Sequence, residues 1–92
     1  MLYFDIPRII IFHGKERLAT HLISDVSLTE LHHFAKKIGV PDRAFHNKPN
    51  RPHYDLFDNF IEKAIETGAK EITTKSLIIM LKRIYSYIKY NK

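Results

Sequence analysis

THLISDVSLTELHHFAKKIGVP, residues 20 to 41, holds a strand, a helix start, an apolar helical stripe and a helix stop in one run. Leu18 to Ser24 reads as a buried strand, whose period of two points Ala19, His21, Ile23 and Asp25 to one side and Leu22 and Ser24 to the other. Ser27-Leu28-Thr29-Glu30 then matches a capping box: the Ser27 hydroxyl accepts from the Glu30 amide and the Glu30 carboxylate returns to the Ser27 amide. Leu28, Leu31, Phe34, Ala35 and Ile38 recur at helical spacing, with His32 at the stripe's edge and His33 nearly opposite. Gly39 suits a left-handed cap and Pro41 stops the helix.

Upstream, Leu2-Tyr3-Phe4 is a short strand ending at Asp5, broken by Ile6-Pro7. Ile9 to Phe12 is apolar and reads as a strand or as a loop whose apolar side meets a partner chain. Downstream, Asn47, Pro49, Asn50 and Pro52 make Asp42 to Pro52 a loop, the most electropositive segment through Arg43, His46, Lys48 and Arg51. An extended His53-Tyr54-Asp55 puts His53 and Asp55 on one side and Tyr54 on the other. A second helix is expected from Phe57 to Thr67, with Phe57, Phe60, Ile61, Ala64 and Ile65 inward, followed by an edge-like strand at Lys70 to Thr73. Thr74 or Ser76 would cap a last helix reaching Lys89, with Leu77, Ile78, Leu81, Ile84, Tyr85 and Ile88 as its apolar face. The order β-β-α-α-β-α predicts an α/β fold, a small sheet of three or four short strands flanked by three helices.

At 92 residues the expectation is a single domain, 1–92, with little stability to spare. The absence of cysteine excludes disulfides, zinc–thiolate sites and thiol nucleophiles. No apolar run approaches the ~20 residues of a membrane span, so the expectation is a cytoplasmic protein without membrane contact. A net charge of +5 favours anionic partners.

Asp5, His21-Leu22-Ile23-Ser24-Asp25, Glu30-Leu31-His32-x-Phe34-Ala35-x-x-Ile38-Gly39, Arg43-x-Phe45, His53-Tyr54-Asp55-Leu56 and Ala64-x-x-x-Gly68-Ala69 occur in one order and cover most of the chain from Asp5 to Ala69. This set resembles the domain of unknown function 4031 family of small bacterial and phage proteins. The resemblance implies a shared fold and site without a known activity; relatives tend to carry a Lys-Arg pair early in the second helix, where this chain has Phe60-Ile61.

Six histidines in so short a chain, with aspartates at strand ends, point to one polar pocket. Its candidate ligand-binding residues are Asp5, His21, Ser24, Asp25, His32, Arg43, His53, Tyr54 and Asp55. The first reading is binding of a phosphorylated, nucleotide-like ligand: the arginine fork suits phosphate, the Ser27 helix start adds amide donors, and Tyr54, Phe45 or Tyr3 would stack on a base. On this reading the protein is a phage or bacterial regulatory or counter-defence factor. The alternative is a metal-dependent phosphoesterase or nuclease, a divalent metal falling to Asp5, His21, Asp25, His53 and Asp55, although no compact ligand motif is present. A third reading is a homo-oligomeric protein-binding module using Ile9 to Phe12 or the Ile78/Ile79/Tyr85 side of the last helix. Nucleic-acid binding has weak support, because no basic stripe interleaved with aromatics appears. Singly, the bland readings compete: Asp25 favours a helix start, Asp55 or Asp58 caps the second helix, and His13, His33 and His46 belong to the surface.

Overall fold

The computed structural model describes residues 1–49 and 51–90, with side chains as far as Ile84. The apolar positions expected at Tyr85 and Ile88 lie outside the described side chains. The chain runs β1 (Leu2–Phe4), β2 (Arg8–Phe12), β3 (Lys15–Ser24), α1 (Leu28–Ile38), a 3-10 turn (Asp42–Ala44), β4 (Phe45–Lys48), β5 (Arg51–Phe57), α2 (Asn59–Glu66), β6 (Lys70–Glu71) and α3 (Thr74–Tyr90). The fold is α/β with three α-helices, as expected, but its mixed sheet has six strands instead of three or four.

Two readings account for the difference. Ile9 to Phe12 is a strand, hairpinned to Lys15–Glu16-Arg17-Leu18. The segment read as a proline-rich loop contains the β4–β5 hairpin, with Phe45 opposite Tyr54 and His46 opposite His53. Pro52 is tolerated there because it lies past the last β5 pair with β3, Leu22 with Tyr54, where no amide is owed to that neighbour.

β3 is the axis of the sheet. Its second half pairs antiparallel with β1, its first half with β2, and its middle with β5 on the other side. Between Phe4 opposite Leu22 and Arg8 opposite Ala19, three residues (Asp5, Ile6, Pro7) face two (Thr20, His21). That extra residue is a bulge, and it re-aims Asp5 at β3. β6 extends the sheet by pairing parallel with β1.

The period of two then divides the sheet into two chemistries. Leu22, Tyr54 and Leu56 face α1 and α2, where Leu31, Ala35, Ile38, Ile61 and Ala64 close the main core. Ile23 and Tyr3 face α3, packing on Leu77, Leu81 and Met80. The remainder of this second face carries His21, His46, His53 and Asp55.

α1 starts as read, with the Ser27 hydroxyl accepting from the Glu30 amide at 3.0 Å. The reciprocal half of the box does not form: Glu30 accepts from the Ser24 hydroxyl at 2.6 Å, and the Ser27 amide donates to Ser24 at 3.1 Å. Gly39 ends the helix at φ 86°, donating to the Ala35 and Lys36 carbonyls. α2 is shorter than expected, since Phe57 belongs to β5, and Ile65, expected to face inward, is exposed. Thr73, not Thr74 or Ser76, caps α3 by accepting from the Ser76 amide at 3.1 Å.

Candidate functional site

The second sheet face and α3 enclose a cleft of about 390 Å³. Its floor is written in register: His21 stands opposite Asp55, and His46 opposite His53, on three adjacent antiparallel strands. Residues i and i+2 share a face, so His53 and Asp55 of β5 complete the group. Arg8, Lys48 and Arg51 add positive charge to the cleft, and Leu77, Ile78 and Leu81 of α3 form its apolar wall.

Ligand atoms of His21, His53 and Asp55 all lie within 4.8 Å of one another. Both imidazoles are fixed from behind. His21 Nδ1 sits 3.2 Å from an Asp5 carboxylate oxygen and His53 Nδ1 sits 2.8 Å from the Arg51 carbonyl. A carbonyl only accepts, so His53 Nδ1 carries a proton, and in the neutral ring Nε2 presents its lone pair to the cleft. Asp5, as a carboxylate, imposes the same tautomer on His21. The two Nε2 atoms then converge on one oxygen of Asp55, at 3.9 Å from His21 and 3.4 Å from His53. The other Asp55 oxygen accepts from His46 Nε2 at 2.7 Å, and the His46 ring stacks on His53 at 5.3 Å.

Asp5 is 1% exposed. Burial alone would raise its carboxyl, but hydrogen bonds from the His21 ring, the Thr20 hydroxyl and the His21 amide at 2.9 Å override that and hold it well below the usual carboxylate range. The Thr74 hydroxyl adds a fourth donor at 3.3 Å and Arg8 approaches to 4.0 Å. Asp55 behaves alike: burial pushes it up, and His53, then the charges of His46 and His21, bring it below its ordinary value. His53 moves the other way. Burial lowers it, but the bonds to Asp55 and the Arg51 carbonyl raise it above its ordinary value.

Of the residues put forward from sequence, Asp5, His21, His53 and Asp55 come together. Five do not. Asp25 and Ser24 sit at the carboxyl end of β3, and because β1 runs antiparallel to β3, that end lies beside Met1, away from Asp5. There Asp25 and Glu30 each accept from the Met1 amine at 2.8 Å, which with Ser24 lowers Glu30 below its ordinary value. Ser24 is wholly buried as a brace for the start of α1. Tyr54 points through the opposite face into the main core, as the alternation requires. His32 follows it: the Tyr54 hydroxyl, raised by burial and by Asp42, shares a hydrogen bond with His32 Nδ1 at 2.6 Å. Arg43 is exposed on the 3-10 turn, outside the cleft.

Reading by sequence left out His46, Arg8, Lys48, Arg51 and Thr74. The signal for His46 was its place seven residues before His53, across a turn that Pro49 and Asn50 mark. Nor does either aspartate cap α2. Asp55 is in the cleft, and Asp58 occupies the cap position at φ 48° but turns its carboxylate to Arg17 and the Leu18 amide.

No helix among the described residues is long and apolar enough to cross a membrane. No curated protein and no solved structure matches the chain. A family model described as Protein of unknown function (DUF4031) matches residues 2–84, a span that contains every residue lining the cleft, from Asp5 to Leu81. The chain belongs to the DUF4031 family.

Proposed function

We propose that the chain is a divalent-metal-dependent phosphoesterase, with the ion held by His21, His53 and Asp55. One observation carries this reading: two imidazoles whose Nδ1 atoms are engaged behind them turn both Nε2 atoms to the same carboxylate oxygen, and in the neutral rings those Nε2 atoms are free to ligate. Oriented histidines with a carboxylate or carbonyl behind them are the usual outer support of a metal site. Two nitrogens and one oxygen suit Zn²⁺ or Mn²⁺ and leave coordination positions open for water and substrate.

Bound there, such an ion would supply an activated water and polarise a phosphoryl oxygen. The chain's own residues do the rest. Arg8, Lys48 and Arg51 draw a phosphate into the cleft, in the role first given to Arg43. His46 holds Asp55 in place, and Asp5 holds His21. The same cations serve the reading of a phosphorylated, nucleotide-like ligand, which here becomes the substrate.

Calorimetry with Zn²⁺ and Mn²⁺ and turnover of bis-p-nitrophenyl phosphate test the proposal. Stoichiometric binding and metal-dependent release of nitrophenol, both abolished in His21→Ala and in Asp55→Asn, are expected. An ion that neither binds nor enables turnover in the wild-type chain removes it.

A further inference from the structure

We infer that the substrate is single-stranded nucleic acid, gripped by a basic and aromatic platform on the β2–β3 hairpin that continues the cleft along the same sheet face. The inference rests on the metal-dependent reading above and adds the class of phosphodiester. Two apart on β3 and β5, Ala19 shares a face with His21 and Phe57 with Asp55. The β2 register continues that face outward: Arg8 lies opposite Ala19, Ile10 opposite Arg17, and Phe12 opposite Lys15. The cations Arg8, Arg17 and Lys15 and the rings of Phe57 and Phe12 therefore form one track leading away from the metal ligands.

The track is built for stacking. The Phe12 and Phe57 rings lie 5.3 Å apart, and the Arg17 guanidinium lies 4.8 Å from the Phe57 centroid and 5.9 Å from that of Phe12. Asp58 fixes that guanidinium from the side. Phe12 is 40% exposed, and Lys15 is also exposed. Neither lines the cleft, so a mononucleotide seated on the ion would leave both unused. Two steps of two residues separate Arg17 from His21, about 13 Å at ~3.3 Å per residue, which roughly four stacked nucleotides span. Lys48 and Arg51 close the β4–β5 hairpin beside His46 and His53. Phosphate contacts on both sides of the ion place the cut within a strand. Stacking on the exposed Phe12 ring, or on the Arg17 guanidinium that covers Phe57, requires unpaired bases, which selects single strands.

The reaction is hydrolysis. Water oxygen bonds to phosphorus, one P–O ester bond breaks, the leaving sugar oxygen takes the water's proton, and a phosphomonoester and a hydroxyl end remain.

Fluorescein-labelled twelve-residue oligo-dT and oligo-U, followed by anisotropy in EDTA and by gel after Mn²⁺ addition, test this. Binding is expected to weaken about five-fold or more in Phe12→Ala. The salt slope should fall by about one in Lys15→Ala. Lys36→Ala, which removes the same charge from α1 behind the other sheet face, should leave binding unchanged. Internal cleavage of one oligomer and not the other names the sugar. If the wild-type chain takes up Mn²⁺ and turns over the small diester yet neither binds nor cuts either oligomer, this inference falls and the preceding reading stands. Equal weakening by Lys36→Ala and Lys15→Ala also overturns it, since general charge would then explain the binding. A chain that binds no metal loses both.

Discussion

Asp5 answers a need that the sheet itself creates. The bulge at Asp5 to Pro7 removes the strand partner of the His21 amide, and the Asp5 carboxylate accepts that amide in its place. The same carboxylate then fixes the His21 ring, so one residue joins backbone accounting to site geometry. Asp5→Asn should weaken Zn²⁺ binding roughly 10- to 100-fold by calorimetry. It should also lower unfolding free energy by about 1–3 kcal/mol in urea titrations, because a buried group loses charged hydrogen bonds. A loss of stability with unchanged metal affinity would leave Asp5 a purely structural role.

His53 and Asp55 give the metal-free chain a pH signature. Raised above 6.5, His53 contributes stability that is fully present below that value and is lost as pH rises through its folded pKa. Lowered below 3.8, Asp55 contributes stability present above that value and lost as pH falls through its folded pKa. Asp55, His46 and His21 face the ring, and Lys48 opposes its charge. In EDTA, the difference in Tm between wild type and His53→Gln should be greatest near pH 5–6 and shrink by about pH 8. A difference that stays flat across this range contradicts the ion pair.

At the scale of elements, the start of α1 depends on Ser24 as much as on Ser27. The Ser24 hydroxyl donates to Glu30 and accepts from the Val26 and Ser27 amides while wholly buried. Ser24→Ala should cost about 1–3 kcal/mol, more than the ~1 kcal/mol of Ser27→Ala, in chemical denaturation. Local pattern made α1 legible almost to the residue, because caps and a 3.6-residue stripe are written within one segment. It also placed His53 and Asp55 on one face and Tyr54 on the other. What it could not carry was direction between strands: both Asp5 and Asp25 end strands, yet an antiparallel pair sends those ends apart. His46 was hidden for a related reason, since only hairpin pairing sets it against His53. The basic and aromatic track has no linear trace, because its members come from β2, β3 and β5 and meet only through register.

Taken whole, the molecule uses its two sheet faces for different purposes: one buries the main apolar core and the other keeps its ionisable groups beside a smaller core under α3. The hairpin leaves Ile9 and Ile11 at 68% and 69% exposure on the core-side face, beyond the cover of α1 and α2. This is the stretch that the sequence offered for self-association, and a strand with such side chains invites pairing with another chain. Sedimentation velocity is expected to give a two-chain species for wild type and a single chain for Ile11→Lys. Two chains in both would place the contact elsewhere.

The floor of the cleft is spelled by strand alignment, with no donor among His21, His46, His53 and Asp55 drawn from a turn. Transplanted connections at His13-Gly14 or at Pro49 should therefore leave its chemistry intact. Deleting one residue from the second of these turns would rotate His46 to the far side of the pleat while His53 stayed, a lesion that no nearby substitution could repair.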